Sequence, residues 1–246
     1  MIKIEHVETL GWDAAIRGMR NPMNSWEKSD SGFGCGNNNE YFCDNCSSSY
    51  HCTSRKTTYN IGPNDLDLMN RLCNAGTDHR KFMRMITVYM DITAPLYWWK
   101  EFDTYKIGTV ANSCSTMHKI ADKEFTLEDF SRDHLYAEDD IDGMYYSITA
   151  EEEFTSTDVL KVIIEALNNY RKMYIATKDK KDWWQMVQLL PSSYNQRRTV
   201  MLNYEVLANM YKSRRLHKLD EWVVFCAEIE RLQYSELITK KEDDQK

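Results

Sequence analysis

Glycine and proline are scarce in this chain, 9 and 4 among 246 residues. A many-turned β-sandwich needs more turn residues than that, so the balance falls toward long helices. Long apolar runs are missing too. None reaches the roughly 18 residues that a membrane span requires, and Lys3, Glu5, Glu8 and Asp13 interrupt the N-terminal stretch. Neither a membrane span nor a secretory leader is expected, and a reducing cytoplasm is the expected compartment. Positive charge is in deficit: 31 Lys and Arg stand against 38 Asp and Glu, a formal net charge of −7. That balance opposes non-specific attachment to nucleic acid or to an anionic membrane, although it permits a local basic pocket. Gly32, Gly34 and Gly36 neither follow a strand nor open a helix, which excludes a dinucleotide fingerprint, and no Gly-x-Ser-x-Gly elbow occurs.

The content that is present, 42% apolar and 28% charged, is that of a globular chain with a core of its own. Ile2 to Val7 alternates as a strand does, and a short helix over Trp12 to Met19 follows. Residues 21–60 turn polar and rich in Ser, Asn and Gly, which predicts a long loop or insertion without helical period. Pro63 opens a helix with Leu66, Met69, Leu72 and Cys73 on one side, and Gly76 closes it. Ile86 to Ile92 is a strand, and Pro95 suits the first turn of a helix running to Phe102. Within the acidic residues 124–153, Thr126 caps a short helix, and Glu138, Asp139 and Asp140 read as solvated surface. Thr157 to Ala176 predicts the longest helix, capped by Thr157, with Val159, Val162, Ile163, Ala166, Leu167, Tyr170 and Met173 as its apolar face. A helix over Lys180 to Leu190 stops at Pro191. Thr199 to Leu202 is either a short strand or a helix start, and helices over Asn203 to Arg215 and Leu219 to Leu232 complete one domain, 1–239, before a frayed charged tail, 240–246.

Three groups of residues could carry chemistry. Cys35, Cys43, Cys46 and Cys52 fall within eighteen positions, and four thiolates around a Cys-x2-Cys turn could hold a structural zinc, against the alternative of a reduced, flexible insertion. His79, between Asp78 and Arg80, is the histidine in a polar cluster after a helix end. Arg197, Arg198, Arg214 and Arg215 form two adjacent pairs in an acidic protein, and guanidinium groups suit phosphate or carboxylate. Asn203, Met210 and Arg214 nearly share one helical face. Trp98, Trp99, Trp183 and Trp184 read first as core or interface.

The stretch from Ala75 through Thr116, with Leu190 through Ile229, resembles the flavin-dependent thymidylate synthases. His79, the following strand, Ala94-Pro95, Leu190-Pro191, Asn203, Asn209, Arg214 and Ala227-Glu228-Ile229 carry the likeness. Where the family has Arg-His-Arg, this chain has Thr104-Tyr105-Lys106. The family's later Arg-Tyr becomes Met117-His118, and an expected Arg becomes Glu205, whose carboxylate is expected to repel phosphate. Such a drifted copy is what a phage or other mobile element is expected to carry.

The resemblance implies an α+β fold with helices packed around a central, mostly antiparallel sheet, interrupted by the Cys-rich insertion. It implies FAD held by His79, Asn203, Asn209 and Lys106, and deoxyuridylate (dUMP) methylated with Arg214 and Ser115 as catalytic residues. Asn112, Arg197 and Arg198, together with Arg214 and Ser115, would hold the nucleotide. It further implies a homotetramer whose sites are shared between chains. The alternative is a nucleotide-binding protein on the same fold without catalysis, in which Trp98, Trp99 and Tyr105 offer stacking surfaces.

Overall fold

The computed structural model describes residues 2–35, 57–137, 140–147 and 151–239. In chain order its elements are β1 (Lys3–Leu10), α1 (Trp12–Arg20), β2 (Gly32–Cys35), β3 (Thr57–Asn60), α2 (Pro63–Asn74), β4 (Thr87–Pro95), α3 (Leu96–Phe102), β5 (Thr109–Ser113) and α4 (Thr116–Lys119). After these come β6 (Tyr145–Ser147), β7 (Glu152–Phe154), α5 (Ser156–Thr177), α6 (Lys180–Leu189), β8 (Asn195–Asn203), α7 (Tyr204–Arg214), α8 (Asp220–Glu230) and α9 (Glu236–Thr239).

The main sheet has the order β1-β4-β8-β5 and every pairing in it is antiparallel. In β4 the period of two is complete: Val88, Met90, Ile92 and Ala94 are all buried, while Tyr89 on the opposite face is exposed. Val200 and Leu202 of β8 sit beside Met90 and Val88 in register and extend that apolar layer. Thr199 to Leu202, left between strand and helix by the sequence, is thus the inner part of a nine-residue strand. The core beneath it is aromatic. Trp98, Trp99, Phe102, Trp222 and Phe225 are buried in one contiguous stack of rings, Trp98 lying 4.7 Å from Trp222 between centroids. Trp98 and Trp99 are therefore core residues and not stacking surfaces for a ligand.

Between β1 and α1 a single residue makes the turn. Gly11 has φ +95°, and a Cβ there would stand 2.2 Å from the Met85 carbonyl oxygen, so only glycine fits.

Residues 21–31 are more ordered than a loop reading allows. Arg20 is buried and its Nε lies 2.6 Å from Asp65 Oδ1, while Ser29, Ser31 and the Asp30 amide donate to the other carboxylate oxygen. Asp30 in turn accepts from the Asn64 and Asp65 amides, capping α2 from outside the helix. Burial works to raise the Asp65 pKa, but the donors Ser31, Ser29 and Arg20 outweigh it and hold the carboxyl below its ordinary value. The hairpin of β2 and β3 pairs Cys35 with Thr57, so the chain leaves and re-enters at adjacent points. Cys43, Cys46, Cys52 and the Cys35 side chain lie outside the described residues.

A second apolar cluster joins Leu160, Ile164, Leu167 and Met186 of α5 and α6 to Ile120, Phe125 and Phe130. The cap of α5 is Thr155, in a capping box with Asp158, rather than Thr157, and Val162 and Met173 are exposed. The apolar face read from the sequence is thus rotated. Its Leu167 edge is buried, and the true face runs Leu160, Ile164, Leu167. The helix expected after Thr126 is a single 3-10 turn.

Candidate functional site

Arg214 sits in the last turn of α7, and its guanidinium is enclosed. Nη1 lies 2.6 Å from Glu101 Oε2, and Nε donates to the Tyr105 hydroxyl at 3.0 Å. The guanidinium carbon stands 4.8 Å from the Trp222 ring and 5.6 Å from the Tyr105 ring, so the charge lies against a corner made by two rings that meet edge to face at 6.1 Å. Trp222 Nε1 donates to the same Glu101 oxygen at 3.0 Å, and His217 Nε2 lies 3.0 Å from Arg214 Nη1.

The chain from Tyr105 leads through Lys106, exposed and without an ion pair among the described residues, to Gly108. Gly108 has φ +79°, and a Cβ there would stand 2.4 Å from Asn203 Nδ2. Asn203 itself caps α7, its Oδ1 accepting from the Val206 amide at 2.9 Å. Two residues on, Glu205 is buried and faces Arg80, whose Nε and Nη2 each donate to one carboxylate oxygen at 3.0 Å. The repulsion expected of Glu205 is therefore cancelled within the protein. His79, next to Arg80, is exposed, as is Asn209 one turn beyond Glu205 on α7. Asn203 thus heads α7 beside Gly108, Asn209 is exposed on α7, and His79 and Lys106 are placed only by their neighbours, Arg80 on Glu205 and Gly108 on Asn203.

Arg197 and Arg198 are adjacent in β8 and for that reason project to opposite faces of the sheet. Arg197 pairs with Asp91 at 2.7 Å, and Asp91 also accepts from Thr199. The Thr199 hydroxyl first, then Arg197, hold the Asp91 carboxyl below its ordinary value. Arg198 pairs with Asp103 at 2.7 Å and lies 4.2 Å over the Trp99 ring. Asn112 is exposed in β5, and Ser115 caps α4 by accepting from the His118 amide at 3.1 Å. No contact between Ser115 and Arg214 is found among the described residues: Ser115 follows β5, and Arg214 ends α7 against Glu101 and Tyr105.

Arg80, Arg197, Arg198 and Arg214 thus each carry a carboxylate, whereas Arg215 is exposed and has no ion pair among the described residues. The sequence pointed to the cations and missed Glu101 and Asp103, which lie 113 and 95 positions from their partners and have no local signature. It also missed a cleft of about 370 Å³ between α4, the end of α5 and α6, lined by Met117, His118, Tyr174, Lys178, Lys180 and Trp183. Among the described residues no group of three His, Cys, Asp or Glu is placed to hold a metal ion, and no helix is long and apolar enough to cross a membrane.

No protein-family model matches this chain, and no curated protein matches it by sequence. Solved structures do. Thymidylate synthase X from Helicobacter pylori, solved with FAD and dUMP, is 16% identical with a TM-score of 0.58, covering 97% of this chain and 95% of that one. A second structure of the same enzyme with both ligands is 15% identical at 0.58, covering 97% and 96%. The UMP/dUMP methylase PolB from Streptomyces cacaoi, bound with 5-Br dUMP, is 14% identical at 0.51, covering 94% and 89%. The chain has the fold of thymidylate synthase X over nearly its whole length.

Proposed function

We propose that this protein is a flavin-dependent thymidylate synthase-like protein that binds a pyrimidine nucleotide and methylates dUMP with FAD as cofactor. The observation that carries the reading is the end-to-end match, nearly complete on both chains, to an enzyme solved with FAD and dUMP. The donors fit a flavin chemically: an exposed imidazole, two carboxamides and the Lys106 ammonium, which has no ion pair among the described residues, are groups that can donate to ring carbonyls or a phosphate. Bound and reduced, FAD would supply hydride, while methylenetetrahydrofolate would supply the one-carbon unit.

The remaining work belongs to the chain's own residues. Arg214 faces the pyrimidine and stabilises negative charge that develops on it, while Glu101 sets how much of that charge is available. Ser115 and Asn112 hydrogen-bond the nucleotide, and the chain forms a homotetramer with sites shared between chains, both as the resemblance to the flavin-dependent thymidylate synthases implies. A structural zinc on Cys35, Cys43, Cys46 and Cys52 would close the insertion at the base that the β2–β3 pairing sets, and a zinc assay tests it.

A specific observation favours the second reading, a nucleotide-binding protein without catalysis: four arginines are already neutralised. The visible absorption of the purified protein, with and without added FAD, and dUMP-dependent formation of thymidylate separate the two. A flavin spectrum with turnover supports the enzyme. A colourless protein that binds dUMP supports the receptor, and one that takes up neither ligand refutes both.

A further inference from the structure

The cleft between α4, the C-terminal end of α5 and the start of α6 differs in charge from the rest of the molecule. Its floor and sides are Met117, Ile120, Ala121, Tyr174 and Trp183, and its polar groups are His118, Lys178 and Lys180. No Asp or Glu is among the described residues that line it. Neither lysine forms an ion pair among the described residues; Lys178 Nζ lies 5.5 Å from the Tyr174 ring and Lys180 Nζ 6.0 Å from that of Trp184. The nearest carboxylates in sequence are engaged elsewhere, Asp179 accepting from the Lys181 amide and Asp182 from Thr177. In a protein of net charge −7, two lysines without an ion pair among the described residues here face an open cavity.

The walls are fixed in advance. Trp183 Nε1 donates to the Met117 carbonyl at 3.1 Å, tying α6 across the cleft to α4. Arg171 Nε donates to the Ala121 carbonyl at 2.9 Å, and Asn168 makes a two-way bond with the Phe125 backbone, 2.9 Å each way, so the segment after α4 is held on α5. Lys178 closes α5 in the left-handed region, φ +59°, with its amide bonded to the Tyr174 carbonyl at 2.8 Å, which sets its stem beside the tyrosine ring. A preformed cavity of this volume, with aromatic sides and cations at the rim, suits a small ligand with one flat face and one negative end.

We propose that this cleft is a binding site for a planar aromatic anion of nucleoside monophosphate size, its ring against Trp183 and Tyr174 and its phosphate between Lys178, Lys180 and His118. The cleft shares no lining residue with the Arg214 region but adjoins Ser115, whose Oγ accepts from the His118 amide at 3.1 Å, so its test must separate this ligand from dUMP.

Calorimetric titration of the full-length protein with adenosine monophosphate tests it, because a purine keeps the probe apart from a pyrimidine substrate. Adenosine alone and inorganic phosphate alone are each expected to bind at least about tenfold more weakly, since each lacks half of the ligand. The double variant Lys178→Glu/Lys180→Glu, at two exposed positions, is expected to lose at least about tenfold in affinity at unchanged melting temperature. Arg214→Ala is expected to leave this affinity unchanged while weakening dUMP. Hydrogen exchange is expected to slow in residues 116–121 and 174–184 when the nucleotide binds. Absence of binding at millimolar nucleotide, phosphate binding as tightly as the nucleotide, an unaffected lysine double variant, or protection at 101–109 instead would overturn the proposal.

Discussion

Arg214 and Glu101, 113 positions apart, meet at 2.6 Å with the indole of Trp222 donating to the same carboxylate oxygen. The residue best suited to grip an anion is thereby balanced before any anion arrives. Glu101→Gln keeps an oxygen for the Trp222 and Arg214 donors and removes the charge. It is expected to raise dUMP affinity about tenfold, or about 1.4 kcal/mol, measured by titration, while the melting temperature falls because a charge-assisted bond becomes a neutral one. Unchanged affinity would show that Arg214 takes no part in nucleotide binding.

Glu205 and Arg80 form a two-pronged pair at a largely buried position. Arg80→Met strands the carboxylate and should cost about 2–4 kcal/mol in urea unfolding. Arg80→Met with Glu205→Met should recover most of that loss, because the second change removes the stranded charge. A double variant as unstable as the single would mean the pair contributes through packing alone.

The Arg20–Asp65 contact is buried on both sides. Asp65 has a depressed pKa, so its contribution is complete above the unfolded carboxylate value of about 3.9 and is lost as pH falls from there through the lower folded value. Asp65→Asn should cost about 3–5 kcal/mol at neutral pH. It should also flatten the acid limb of a stability–pH curve below about pH 4. A variant with the wild-type acid limb would assign that limb to other carboxylates.

Gly108 and Asn203 hold the turn beside α7 in place. Gly108→Ala meets both a positive φ and a side chain 2.4 Å away, and is expected to destabilise by about 1–3 kcal/mol. Gly32→Ala, with nothing within 4 Å, is expected to change stability by no more than about 0.5 kcal/mol. Thermal unfolding of the two variants side by side provides the comparison.

Local pattern made much of the architecture legible. Ile86 to Ile92 was legible as a strand, which the structure carries on to Pro95, and the three-and-four spacing after Pro63 marked α2, because burial on one face leaves a period that a short window of residues contains. The cap of α5 was misplaced by two residues, since Thr155 and Thr157 are both good capping residues and only the reciprocal bond with Asp158 distinguishes them. The order in residues 21–31 was invisible because its anchor, Asp65, lies on another element.

The sequence by itself determined the helix-rich α+β composition, the strand and helix that frame Ala94-Pro95, and the polar positions at the head of α7, since each depends on neighbours within a turn or two. Tertiary structure decided the electrostatics. Strand pairing set Arg197 and Arg198 on opposite faces, helix packing delivered Glu101 to Arg214 and Arg80 to Glu205, and the α5–α6 turn gathered Lys178 and Lys180 beside Trp183. Charge acts through space rather than along the chain. The sequence could therefore count the cations, but only the fold could say which were already paired and which faced open space.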